Sequence, residues 1–195
     1  PVITEIDSGS TITLDATTDI ILDADGGDIF FKDGGTTIAT HTNSSSDYVI
    51  TTGVQDKDFI VKGDDGGAAI TALTLDMSAG GQATFNASVI AKTDTDTSNT
   101  GNVTLDFTAN QNFVLTLTGN TTLVNPSTET VGQSGFIAFI QDGTGGRTVT
   151  LGTDYETAAG AGLSLTSTAS ATDLVPYVVV AANRILLGTP QLAFS

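Results

Sequence analysis

At 195 residues the chain has room for one large domain or two small ones. Apolar residues make up 39% and charged residues only 14%, with 22 acids against 6 bases for a net charge of −16. So acidic a surface repels a phosphate backbone, which excludes nucleic acid as a partner, and the absence of Cys excludes disulfides and thiolate metal sites.

Thr, Ser, Gly and Asn fill the space that charged residues leave. Thr suits a pleated, half-buried surface, whereas Gly, Asn and Asp supply turns, so the composition predicts an all-β protein. The first five residues, Pro1-Val-Ile-Thr-Glu5, carry no basic segment followed by a long apolar one, so no secretory signal is expected there. The longest apolar run, Leu174 to Ala182, is interrupted by Pro176 and is too short for a bilayer, which predicts a soluble chain without membrane insertion.

In chain order, alternation marks the first strands. Thr11-Ile-Thr-Leu-Asp15 places Ile12 and Leu14 on one face, and Asp19-Ile-Ile-Leu22, Asp28-Ile-Phe-Phe-Lys32, Tyr48-Val-Ile50, Asp58-Phe-Ile-Val61 and Leu73-Thr-Leu75 continue the series. Asp25-Gly-Gly, Asp33-Gly-Gly and Asp65-Gly-Gly sit between them, where tight hairpin turns need positive φ. The stretch Asp19 to Gly27 returns as Asp58 to Gly67, an internal repeat offset by 39 or 40 positions. Short strands with few large apolar residues leave faces and edges exposed, so the segment is expected to associate with identical chains through Ile20, Leu22, Phe59 and Val61.

Lys92 to Gly101 contains no apolar side chain except the methyl groups of its threonines and reads as a linker or exposed loop. It separates a strongly acidic region, residues 1–91, from a less acidic one, residues 102–195. Up to Asp96 the chain carries 16 acids and 4 Lys, and beyond it 6 acids and 2 Arg. In the second region Val103, Leu105 and Phe107 alternate onto one face, as do Phe113, Leu115 and Leu117. Ser134 to Ile140 and Tyr177 to Ala182 are apolar on both faces, the pattern of central strands in a sandwich. Turns at Gly119-Asn120, Asn125-Pro126, Asp142 to Gly146 and Ala182-Asn183 complete a β-sandwich or jelly-roll reading, with Phe136 expected in the core.

Three stretches of the second region carry a resemblance: Gln111 to Pro126, Gly132 to Ile137 continuing through Gln141 to Val149, and Val178 to Ile185. They resemble a module of tail-fibre and other virion-surface proteins of tailed bacteriophages. The first region resembles Asp-Gly-Gly-rich repeats of marine phage fibre-like proteins, notably at Phe59 to Gly67 and Leu73 to Met77. The resemblance implies a virion structural protein, made in the host cytoplasm, homotrimeric, and in contact with other virion proteins. It carries no catalytic residue and no cofactor across.

Candidate sites are few. Asp23, Asp25 and Asp28 could offer carboxylates to Ca²⁺ across a Gly-Gly turn, but the remaining ligands of an EF-hand loop do not follow, so turn chemistry is the expected role. Asp64 and Asp65 are read in the same way. His41 is the only imidazole and stands in a Ser/Asn-rich loop with no partners for a triad or metal site. Asp154 and Glu156 come nearest to a glycosidase pair, yet at i, i+2 they would lie side by side rather than across a cleft. Arg147 and Arg184 are expected to pair with Asp142 or Asp154. No catalytic residue is assigned.

Two classes of function follow. One is a non-enzymatic fibre or spike component serving assembly and host attachment; the alternatives are a head-exterior decoration protein and an adhesin that binds a host cell-surface glycan or receptor.

Overall fold

The computed structural model describes residue 9 and residues 11–194; the Pro1–Glu5 segment lies outside them. Among the described residues there is no α-helix, only one short 3-10 turn at Ala158–Gly160, and about half of the chain is strand. Among the same residues no helix is long and apolar enough to cross a membrane. The all-β class follows from the alternation and from the scarcity of helix-forming windows. The chain divides into two compact units, Pro1–Val89 and Ile90–Ser195.

The first unit contains two three-stranded antiparallel meanders. One comprises β1 (Asp28–Asp33), β2 (Thr36–Ser44) and β3 (Asp47–Thr52); the other comprises β4 (Phe59–Asp65), β5 (Ala68–Asp76) and β6 (Gln82–Phe85). Asp33-Gly34-Gly35 and Asp65-Gly66-Gly67 turn the first hairpin of each, and all four glycines have positive φ, from 52° to 92°. Each leading strand bulges at the same place, between Phe31 and Lys32 and between Val61 and Lys62. The structural repeat therefore aligns Asp28-Ile-Phe-Phe-Lys32 with Asp58-Phe-Ile-Val-Lys62, an offset of 30 residues, and not Asp19 to Gly27 with Asp58 to Gly67.

This corrects the sequence reading in two places. Thr11 to Asp15 and Asp19 to Leu22 form no strand, and Ile12, Leu14, Ile20, Ile21 and Leu22 are exposed. Alternation supplies the two faces of a strand, but a ladder also needs a partner edge, and among the described residues none lies beside these segments.

The second unit is built on one eight-stranded sheet. Its long strands are β7 (Thr93–Thr104), β8 (Asn112–Val124), β9 (Ser134–Gln141) and β12 (Thr172–Ala181). The shorter ones are β10 (Val149–Leu151), β11 (Tyr155–Glu156), β13 (Arg184–Leu187) and β14 (Gln191–Phe194). Two strands change partners along their length. On one side β8 pairs with β9 over Phe113–Leu117 and with β10 over Thr121–Leu123, while β7 runs parallel to it along the other side. Strand β12 pairs with β9 on one side, and on the other with β14 near Thr172–Leu174 and β13 from Tyr177 onward.

Such divided partnerships curl the sheet, and its concave face closes over a single core. Phe113, Leu115, Leu117 and Leu123 from β8 meet Ile137 and Phe139 from β9, and Val175, Tyr177 and Val179 from β12. Phe107 anchors an aromatic cluster, edge-on to Tyr177 at 5.2 Å and tilted against Phe113 at 5.0 Å between ring centroids. Sandwich-like packing thus arises from one curled sheet.

Three expectations for this unit are revised. Residues 92–101 are no linker: most of them lie in β7, where Asn99 is buried and donates from Nδ2 to the carbonyls of Asp96 and Thr116, both at 3.1 Å. Leu105 and Phe107 enter the core from the loop after β7 rather than from a strand. Phe136 lies on the convex side of β9, only partly buried, because the inward positions are Ile137 and Phe139.

Candidate interaction surface

In the first unit, register sorts side chains by face. Phe59, Leu75 and Ala83 are cross-strand partners, and so are Val61, Leu73 and Phe85, so one face of the second meander is apolar from Phe59 up to the bulge after Val61. In the first meander Ile29, His41 and Ile50 align, with Phe31 beside Ala39 and Tyr48 beside Asn43 on the same face. The His41 ring lies 4.8 Å from Phe31 and 5.5 Å from Tyr48, and its Nδ1 shares a 2.7 Å hydrogen bond with the Tyr48 hydroxyl. Tyr48, Ile50, Thr52, Phe59, Leu75 and Met77 line a cleft of about 320 Å³.

No described residue before Asn99 is buried. Phe31, Ile50, Val61 and Phe85 remain 41–54% exposed, and Tyr48 is 70% exposed. A sheet with one apolar face normally packs that face on a core. Here both meanders present such a face without enough of their own chain to cover it.

The charged candidates resolve differently. Among the described residues no group of three or more His, Cys, Asp or Glu is arranged to hold a metal ion, so Asp23, Asp25 and Asp28 are not gathered into a cluster. Asp64 accepts the Gly67 N–H at 2.7 Å and works within the hairpin turn. His41, read from sequence as a loop residue, is a β2 residue whose partners are aromatic. The signal for that grouping was the spacing of Phe31, His41 and Tyr48, which becomes visible only once the hairpin register is known.

Asp154 and Glu156 do not form a pair. Asp154 is buried just before β11, with its backbone N–H on the side-chain oxygen of Asn125 at 3.1 Å. Glu156 faces outward and is gripped by Arg184, whose Nε and Nη2 donate at 2.7 and 2.9 Å. That contact holds the Glu156 carboxyl below its ordinary pKa, so Glu156 is a poor general acid. Arg184 therefore pairs with Glu156 and not with Asp154. Arg147 pairs with Asp142, donating from Nε at 3.1 Å and from Nη2 at 2.8 Å. The guanidinium, together with the N–H groups of Gly145 and Thr144, lowers the Asp142 pKa and closes the Asp142–Arg147 loop.

What these features define is a β-structured scaffold whose polar side chains are spent on turns and loops and whose unsatisfied surface is apolar. Residues 100–180, from within β7 to within β12, match the family model described as "Putative phage tail fibre C-terminal domain". Over that stretch, less than half of its length, the chain is similar to a phage tail-fibre domain, which supports a tail-fibre protein and a virion component. No curated protein and no solved structure matches it.

Proposed function

We propose that this chain is a non-enzymatic, surface-exposed fibre or spike component of the marine phage type that assembles as a homotrimer and serves host attachment. The observation that carries the reading is the first unit: two meanders, each with an apolar face, and no buried residue among those described before Asn99. Identical chains laid side by side cover those faces and the edges of β1, β3, β4 and β6 together. The non-enzymatic part is supported by the different environments of Asp154 and Glu156 and by the ion pair that holds Glu156 ionised. The acidic surface suits a displayed protein, keeping it soluble and away from DNA.

Sedimentation equilibrium of the intact chain tests the reading. The expected mass is three times the 19.8 kDa of one chain, and Phe59→Asp should lower it by placing a charge on the shared face. A monomer with its full β signal at the lowest measurable concentration would overturn it.

A further inference from the structure

The convex face of the second unit is built as though something rests on it. In β12 the outward residues from Leu174 onward are Leu174, Pro176, Val178 and Val180, alternating with the buried Val175, Tyr177 and Val179. Register extends this stripe sideways. Leu174 lies beside Ala138 of β9, which lies beside Val114 of β8, and Val178 lies beside Leu186 of β13. Phe136 flanks Pro176, and Ile140 lies in a row with Thr172 and Phe194. None of these positions carries a charge, in a chain whose net charge is −16. An antiparallel sheet with one face on the core ordinarily alternates apolar-in with polar-out. Here the outward positions of β8 and β9 and those of β12 from Leu174 to Val180 carry no charge, the Arg184–Glu156 pair beside Leu186 marks the charged edge of the patch, and Val178, Val180 and Phe194 are 37–50% exposed.

We infer that the convex face of β9 and β12 is a contact between copies of this chain, made by the second unit in its own right. Charge selects the occupant. Two identical acidic molecules repel wherever their carboxylates meet, so the surface on which they can approach is the one free of charge. Tethering favours the same partner. This inference rests on the proposed trimer: chains joined through their first units hold their second units at the effective concentration of a short tether, about millimolar. A separate virion protein has no such advantage. An apolar patch flanked by polar rows is the composition expected at the centre of such a contact.

The chain has no Cys, so a single introduced thiol is an unambiguous probe. Val178→Cys and Val180→Cys remove little volume from half-exposed positions, and Thr150→Cys on an exposed position of β10 serves as the control. In the intact native protein, maleimide should modify the thiols of V178C and V180C at least about tenfold more slowly than that of T150C, with equal rates in urea. Mild oxidation should join V178C chains into covalent dimers. Equal native rates would overturn the inference, as would protection that persists in a species shown by mass to be monomeric, because the cover would then come from the same chain. A trimeric mass together with unprotected V178C would sink this contact and leave the proposed function standing. A monomeric mass would instead count against the proposed function.

Discussion

Gly188 donates its N–H to the carbonyl of Pro176 at 2.8 Å, and a Cβ on Gly188 would lie 2.7 Å from the proline Cγ. The contact explains how proline sits in the middle of a central strand. Toward β9, Val179 donates to Gln133 at 2.8 Å, which makes the odd positions of β12 the hydrogen-bonded ones on that side. The nitrogen of Pro176 thus faces the opposite side, where β13 has ended at Leu187 and β14 has not begun before Gln191. The missing donor falls in the gap between two short strands, and the absent Gly188 side chain leaves room for the ring.

Gly188→Ala should therefore destabilise the protein by about 1–3 kcal/mol through overpacking against the ring. Pro176→Ala in the same chain should recover part of that loss, because it removes the atom the new methyl meets. Urea denaturation of both single variants and the double variant checks the coupling. Strictly additive effects would show that the two residues do not meet.

Phe139 is completely enclosed by the core, whereas Phe136 three residues earlier is on the convex face. Phe139→Ala should cost about 3–5 kcal/mol and Phe136→Ala clearly less. Comparing the denaturation midpoints of the two variants tests the inward and outward assignment of β9.

Asp173 is buried in β12, where its carboxylate accepts the Thr166 N–H at 2.6 Å and the Ala193 N–H at 2.8 Å. It pins the loop before β12 and the terminal strand β14 at once. Asp173→Ala leaves both donors without a partner, at about 1–3 kcal/mol for each one that stays buried. Amide hydrogen exchange should quicken at Thr166 and Ala193 while the β8 and β9 amides keep their order of protection. Unchanged exchange at both sites would refute the clamp.

Two groups of residues set opposite pH limits. Burial raises the pKa of Tyr155 and pushes that of Tyr177 up to about 12, while in the unfolded chain both ionise near pH 10. Their contribution is complete below about pH 10 and is lost as pH rises toward the folded values. The carboxyls of Asp106, Asp142 and Glu156 shift downward, led in turn by hydrogen bonds from Thr108, Arg147 and Arg184. Their contribution is present above the ordinary carboxylate range near pH 4 and fades as pH falls below it. Thermal midpoints against pH should show both declines, with Arg147→Ala giving a lower midpoint near neutral pH and a shallower acid decline than the parent chain.

Hairpin turns and inward strand faces were the most legible features of the sequence. Asp33-Gly-Gly and Asp65-Gly-Gly announce themselves because positive φ at two successive positions favours glycine. Strand β7 was hidden for the opposite reason. It is an edge strand, so its Thr, Asp and Ser side chains meet solvent, and the only fully buried side chain it contributes is the polar Asn99. The part of strand β12 up to Pro176 was hidden by that proline, since sequence cannot say which of a residue's two sides will need a donor. The ring cluster of Phe31, His41 and Tyr48 was also invisible, because it depends on which residues of three strands share a face.

The lack of any buried side chain among the described residues of the first unit also sets an order of events in time. A ribosome releases residues 1–89 before residues 90–195, but only the later stretch carries a core that a lone chain can close. Maturation therefore runs against the direction of synthesis. On the proposed assembly, the last half made is the first to reach its final shape, and the first half is completed only when sister chains arrive. The rate of that second step should then rise with the concentration of the chain, which makes completion of the first unit a matter of abundance as well as of sequence.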